Sequence, residues 1–274
     1  MSPYSLQHDR RADRALLLAL GALARLTGQY RPVVLRYHSI DPSRSRLSVS
    51  RENFAAQMDY LARAGFAVVP LAEAVAGGGK RRRVALTFDD GYRNNLAEAV
   101  PILEAHGFPV TFYIAPLLLD TLPRWAAPDQ DGLRIMSHGE LCELAARPGV
   151  TIGAHTLTHR RLDTLDADAA GDEIRGAKRE LAALLGGEID SFCYPHGAYT
   201  RETVALVRKW GYRSACTVAP GTALRLKSLF EICRVYVAPT MTLSEFAAAL
   251  TVASDWRLAV RGEFRKVMTR VSDK

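Results

Sequence analysis

From Pro32 to about residue 252 the chain repeats one pattern, a short and almost wholly apolar run followed by a segment with helical spacing. The apolar runs are Val33-Val34-Leu35-Arg36-Tyr37, Ala67-Val68-Val69-Pro70, Val84-Ala85-Leu86-Thr87-Phe88, Val110-Thr111-Phe112-Tyr113-Ile114 and Val150-Thr151-Ile152-Gly153, then 191–194, 213–217 and 232–237. Between them, helices are expected at 51–64, capped by Ser50, and at 93–106, ending near Gly107. Further helices are expected at 138–146, capped by Ser137, and at 167–186, 201–210 and 243–252. Strands with no polar alternation are buried on both faces, which requires a parallel sheet covered by helices. About seven such units without a second composition zone read as one (β/α) barrel, seven-stranded and distorted. Its active site belongs at the C-terminal ends of the strands. The chain divides into an N-terminal helix or short signal-like segment (1–31), the catalytic domain (32–254) and a basic tail expected to be helical (255–274).

Composition narrows the class further. With 274 residues, 48% apolar and 24% charged, the chain is an ordinary globular protein rather than a disordered or polytopic membrane one. Its net charge of +7 is terminal: residues 1–83 hold 14 basic and 6 acidic side chains, whereas 84–254 hold 16 and 20. No basic stripe with interleaved aromatics crosses the body, so a nucleic-acid partner is not expected. Gly77-Gly78-Gly79 precedes a basic run and no helix, and reads as a loop rather than a phosphate cradle. Cys142, Cys193, Cys216 and Cys233 are too widely spaced for a disulfide framework or thiolate zinc site. The apolar stretch after Arg10, Arg11 and Arg14 is shorter than the roughly 20 residues of a spanning helix. Two readings stand for it: a short secretory signal, or a helix on the domain or on a membrane surface with Leu16, Leu20 and Leu23 on one face. The compartment reading leans to the cytoplasm or the inner membrane, with secretion as the alternative.

Four segments place chemistry at strand ends. Thr87-Phe88-Asp89-Asp90-Gly91-Tyr92 ends an apolar strand in two carboxylates, which is costly unless a cation compensates. A helix cap would need only one of them. In His155-Thr156-Leu157-Thr158-His159 the two histidines are four residues apart and can reach one cation. With Asp90 they make a two-histidine, one-carboxylate set with open positions, leaving Asp89 free as a base. Phe192-Cys193-Tyr194-Pro195-His196-Gly197 reads as a strand-to-loop turn whose backbone N–H groups can point into the site. Arg36-Tyr37-His38-Ser39-Ile40 places His38 just past the first strand, a candidate general acid.

Thr-Phe-Asp-Asp-Gly, then His-Thr-x-x-His about sixty-five residues on, then Phe-x-Tyr-Pro-x-Gly, resembles the polysaccharide deacetylases. These form carbohydrate esterase family four, the nodulation-protein-B homology domain. The early Arg-Tyr-His-Ser-Ile, with Asn53-Phe54 and Met58-Asp59-Tyr60-Leu61, is similar to a permuted branch that includes poly-N-acetylglucosamine deacetylases. The resemblance spans about residues 32–250. It implies a metal-dependent hydrolase that removes N-acetyl groups from an N-acetylglucosamine-type glycan and releases acetate. Asp90, His155 and His159 would hold a divalent metal, usually zinc, with cobalt or nickel as alternatives. Asp89 would take a proton from water and His38 would protonate the leaving amine, with His196 the runner-up. Tyr92, Pro195, His196 and Gly197 would line the substrate, the His196 N–H facing the oxyanion.

The sequence departs from the family twice. The third motif begins with an arginine that orients the base, where this chain has Cys193, and the aspartate–tryptophan motif supporting that arginine is not evident around 213–221. Arg234 or Arg36 would supply the charge, Arg234 being preferred. The other readings are a deacetylase or amidohydrolase acting on a small or lipid-linked sugar, and a catalytically silent carbohydrate-binding protein on the same fold. Peripheral membrane contact through the N-terminal segment is a further expectation.

Overall fold

The computed structural model describes residues 10–42, 45–76, 82–125, 133–223, 225 and 228–260. In chain order they form α1 (Arg10–Leu26), β1 (Val33–Tyr37), β2 (Ser39–Ile40), β3 (Ser48–Val49), α2 (Arg51–Arg63), β4 (Ala67–Val68), α3 (Leu71–Val75) and β5 (Arg83–Phe88). Then come α4 (Asn94–Glu98), α5 (Val100–His106), β6 (Val110–Ile114), α6 (His138–Ala145), β7 (Val150–Ala154), α7 (Ala167–Leu185) and β8 (Ser191–Cys193). The rest are α8 (Arg201–Lys209), β9 (Ser214–Cys216), β10 (Val235–Tyr236), α9 (Leu243–Ala249) and α10 (Ala253–Val260).

The main sheet runs β10-β1-β5-β6-β7-β8-β9, every pair parallel, with β4 beside the start of β5. Its two ends approach through one parallel bridge, Cys216 to Ile232, so the seven-stranded path curls into a distorted barrel. Strand side chains alternate between two buried layers. Val33, Leu35 and Tyr37 join the core under the helices, while Val34 meets Ala85, Tyr113, Cys193 and Cys216 inside the curl. Double burial explains the near-continuous apolar runs.

Several elements differ from the sequence expectation for local reasons. The helix expected at 93–106 is broken at Ala99, because Pro101, within the first turn of α5, has no N–H to continue the ladder. The strand expected at 232–237 is ordered as β10 only over Val235–Tyr236: the N–H groups of Cys233 and Arg234 bond Ala223 and Ala219 instead of a neighbouring strand. The helix expected to 252 ends at Ala249 and restarts at Ala253 as α10, and residues 261–274 of the expected helical tail lie outside the described residues.

Helix α1 packs on α9 and α10, and its buried face is Leu17, Gly21 and Ala24 rather than Leu16, Leu20 and Leu23. Leu17 lies against Ala248 and Ala253, and a Cβ on Gly21 would come within 2.3 Å of the Ala248 Cβ. A glycine is therefore required for the close approach. Among the described residues no helix is long and apolar enough to cross a membrane.

Candidate active site

Asp89 and Asp90 stand just past β5. The Asp89 N–H still donates to the Tyr37 carbonyl (3.0 Å), extending the β1 ladder by one residue. Asp90 and Gly91 then take φ values of 73° and 77°, which turns the second carboxylate away from the first. Both Asp89 oxygens accept from Arg234, Nη1 to Oδ1 at 2.6 Å and Nη2 to Oδ2 at 2.7 Å, with both residues buried. Arg234 is itself held by the Thr217 carbonyl, by Thr87 Oγ1 and by the Cys193 sulfur 3.0 Å from Nη2. Burial pushes the Asp89 carboxyl up, but the guanidinium outweighs it and holds the group at about 2. A side chain as small as cysteine at 193 leaves room for an arginine arriving from the β10 side.

Asp90, His155 and His159 converge, each offering one donor atom within 4.8 Å of the others. Asp90 Oδ1 lies 3.5 Å from His155 Nε2 and 3.2 Å from His159 Nε2. His155 Nδ1–H donates to the Cys193 carbonyl (2.7 Å), so Nε2 is the nitrogen turned toward Asp90. Two imidazole nitrogens and a carboxylate oxygen on buried side chains, each within 4.8 Å of the others, are a donor set that fits a divalent cation with open positions. A second set, Asp89, His155 and Cys193, is equally close, but Arg234 and the Cys193 carbonyl already engage its donors.

The histidine loop is strained and braced. Thr156 and His159 have φ values of 58° and 61°, and buried Glu173 on α7 accepts from the Thr158 N–H (2.9 Å) and from its hydroxyl (2.6 Å). Left-handed φ at residues other than glycine persists only where the surroundings over-determine it.

His38 lies past β1, its loop pinned by buried Asn95, which donates to the His38 carbonyl (2.7 Å) and accepts from the Ile40 N–H (3.2 Å). Among the described residues its buried Nδ1 has no hydrogen-bond partner, and burial pushes the imidazole down to about 4. Arg36, the alternative partner for Asp89, instead lies over the Tyr236 ring, 4.9 Å from its centroid, and makes no hydrogen bond to Asp89.

The turn after β8 carries Pro195, buried, and His196, exposed with φ 57° and its ring 4.7 Å from that of His159. Bonds closing this turn run from the Gly197 N–H to the Tyr194 carbonyl and from the Ala198 N–H to the Pro195 carbonyl, leaving the His196 N–H out. At Gly197 (φ 65°) a Cβ would lie 2.1 Å from Val218 Cγ2. Tyr92 differs from expectation: it is fully buried, and its hydroxyl donates to Asp90 Oδ2 (3.0 Å) rather than facing a substrate.

A family model described as polysaccharide deacetylase matches residues 76–215, just over half of the chain. The chain belongs to the polysaccharide deacetylase family. It is a hydrolase that cuts C–N bonds in acetylated polysaccharide. Similar proteins include YxkH of Bacillus subtilis (strain 168), 28% identical over 220 residues that cover 78% of this chain and 74% of that protein. Among solved structures, IcaB from Ammonifex degensii is 26% identical with a TM-score of 0.67, over 81% of this chain and 97% of that one. BC0361, a polysaccharide deacetylase from Bacillus cereus, is 27% identical with a TM-score of 0.66, over 80% and 68%. The Streptococcus pyogenes deacetylase PplD, in complex with acetate, is 20% identical and shares the fold, with a TM-score of 0.68 over 81% and 99%.

In this polysaccharide deacetylase, His38 and Arg234 lie outside the segment matched by the family model, yet the sheet order places β1 beside β5 and β10 on the far side of β1. Sequence reasoning missed two neighbours of the Asp90, His155 and His159 set. Glu173 is disguised as one polar position on an amphipathic helix. Trp125 lies in the long connection between β6 and α6, where no periodicity exists to flag it.

Proposed function

We propose that the chain removes N-acetyl groups from an N-acetylglucosamine-type glycan, using a divalent cation held by Asp90, His155 and His159. The observation that carries this reading is the convergence of those three side chains beside a second carboxylate, Asp89, clamped by Arg234. A bound cation would polarise the acetamide carbonyl and lower the pKa of water. Asp89 accepts the proton that the attacking water gives up. Arg234 takes one lone pair of each carboxylate oxygen and leaves another free for this. The new C–O bond forms at the acetamide carbon, and the C–N bond then breaks. The His196 N–H is left free by its turn to face the oxyanion. The departing amine needs a proton, and His38, neutral through burial, delivers one only after collecting it within the site. The products are acetate and a free amino sugar.

The reading of a silent binding protein rested on Cys193 in place of the motif arginine. Arg234 making two bonds to Asp89 removes that support. The test is acetate release from N-acetylated oligosaccharides by protein stripped with chelator and resupplied with zinc, cobalt or nickel. Release that vanishes on stripping and returns with metal is expected. Undiminished release from metal-free protein would overturn the cation's role, and failure of folded, metal-loaded protein on every N-acetylglucosamine substrate would overturn the substrate class.

A further inference from the structure

We propose that Tyr92 and Trp125 are positioning residues that set how Asp90 and His159 meet the cation, an inference that rests on the cation reading above. The Trp125 Nε1–H donates to the Tyr92 hydroxyl at 2.7 Å, and the Tyr92 hydroxyl lies 3.0 Å from Asp90 Oδ2. Indole is a donor only, so the phenol must accept from Trp125 and direct its single proton at Asp90. This occupies Oδ2 and leaves Oδ1 as the oxygen facing the two histidines, 3.5 Å and 3.2 Å away. The chain thereby presents one carboxylate oxygen, not two, to the cation. A chain of two such bonds in a buried site also polarises along its length, each bond strengthening the next.

The same indole serves the second histidine. His155 is oriented by its bond to the Cys193 carbonyl, whereas among the described residues His159 has no hydrogen bond from its other nitrogen. Packing holds it instead, between the Trp125 ring at 4.3 Å and the His196 ring at 4.7 Å. Trp125 thus replaces, by contact, the hydrogen bond that usually fixes a ligating histidine.

Backbone bonds tie the connection that carries Trp125 to the turn that carries Asp90. The Met136 N–H donates to the Gly91 carbonyl (3.0 Å) and the Arg93 N–H to the Arg134 carbonyl (2.9 Å), with Tyr92 and Ile135 paired as an antiparallel bridge. On the near side, the Ile135 N–H donates to Thr121 and the Asp120 N–H to Met136, both at 3.0 Å. The segment beside Trp125 and the Asp90 turn are therefore one stitched unit.

The test uses the full chain, stripped with chelator. Co2+ is titrated while tryptophan emission is recorded, and Zn2+ affinity is measured by competition against a chromophoric chelator, for wild type, Y92F, W125F, W125A and the control W210F. Wild type and W210F are expected to lose emission on Co2+ binding, because Trp125 contacts a ligand, and W125F is expected to lose most of that response. Y92F and W125F are expected to weaken Zn2+ binding about tenfold and W125A up to about a hundredfold, each in protein that still melts cooperatively in the absence of metal. Zn2+ affinities of Y92F and W125A within twofold of wild type would overturn this inference alone. Wild type that binds neither ion would overturn the cation reading and this inference with it.

Discussion

Asp89 and Arg234 are 145 residues apart and both buried, so the energy of their pairing is set by what happens when one is removed. Breaking a buried ion pair from one side costs about 3–5 kcal/mol, because the remaining charge has lost its water and its partner. R234M is therefore expected to lower unfolding free energy by about that amount in denaturant titrations, and acetate release by about a hundredfold or more through misplacement of the base. The double variant D89N/R234M should regain much of the stability and none of the activity, and double-variant stability no better than R234M would sink the argument. The sequence made Asp89, Asp90, His155 and His159 legible because adjacent carboxylates at a strand end and two histidines four apart are local patterns. The source of the arginine was legible only as a choice between Arg36 and Arg234, since proximity across the sheet leaves no local trace. The bond from the Tyr92 hydroxyl to Asp90 was not legible, because a position next to the carboxylates says nothing about which way a phenol points.

Two elements are bound to the site or to the domain by single acidic side chains. Glu173 on α7 spans the strained Thr156–His159 loop with two bonds to Thr158. Hydrogen bonds involving a charged group contribute about 1.5–3 kcal/mol, so E173A should destabilise by a comparable amount and weaken Zn2+ binding, while E173Q should retain most of both. Equal Zn2+ affinity for E173A and wild type would show that the loop holds itself. Glu245, on α9, accepts from Arg14 Nη2 (3.1 Å) and from Thr242, which fastens α1 to α9. Burial pushes the Glu245 carboxyl up, but bonds from Arg14 and Thr242 outweigh it and hold the group below its ordinary 4.5. A depressed carboxylate stabilises the fold above the unfolded value and loses that contribution as pH falls through the folded one. Proteolysis within α1 should therefore accelerate below about pH 4.5, and E245Q should abolish that pH dependence. At this scale element types were legible from periodicity, and their ends less so. Pro101 breaks the 93–106 helix without disturbing its apolar spacing, and the α1 face is displaced by one residue because Gly21 and Ala24 carry little hydrophobic signal while forming the close contact.

The barrel was legible as alternation, and its order follows from short right-handed crossovers between parallel strands. What alternation cannot convey is how the curl closes. Among the described residues, the ends meet at the bridge from Cys216 to Ile232, two residues before Arg234, where the Ile232 N–H donates to Ala215 and the Thr217 N–H to Ile232. Ile232 is fully buried in the inner layer, and truncating it to alanine should cost about 2–5 kcal/mol. Because the bridge aligns the segment that delivers Arg234, I232A should also lower kcat more than it raises KM, and an unchanged kcat would separate closure from catalysis. The order of these parts along the chain has a consequence in time. Synthesis proceeds at about 5–20 residues per second, so roughly 7–30 s separate the appearance of Asp89 from that of its arginine. Throughout that interval the nascent chain carries the Asp89 carboxylate without its counter-charge; His155 and His159 join about halfway through, and the segment just before β10 supplies the arginine only afterwards.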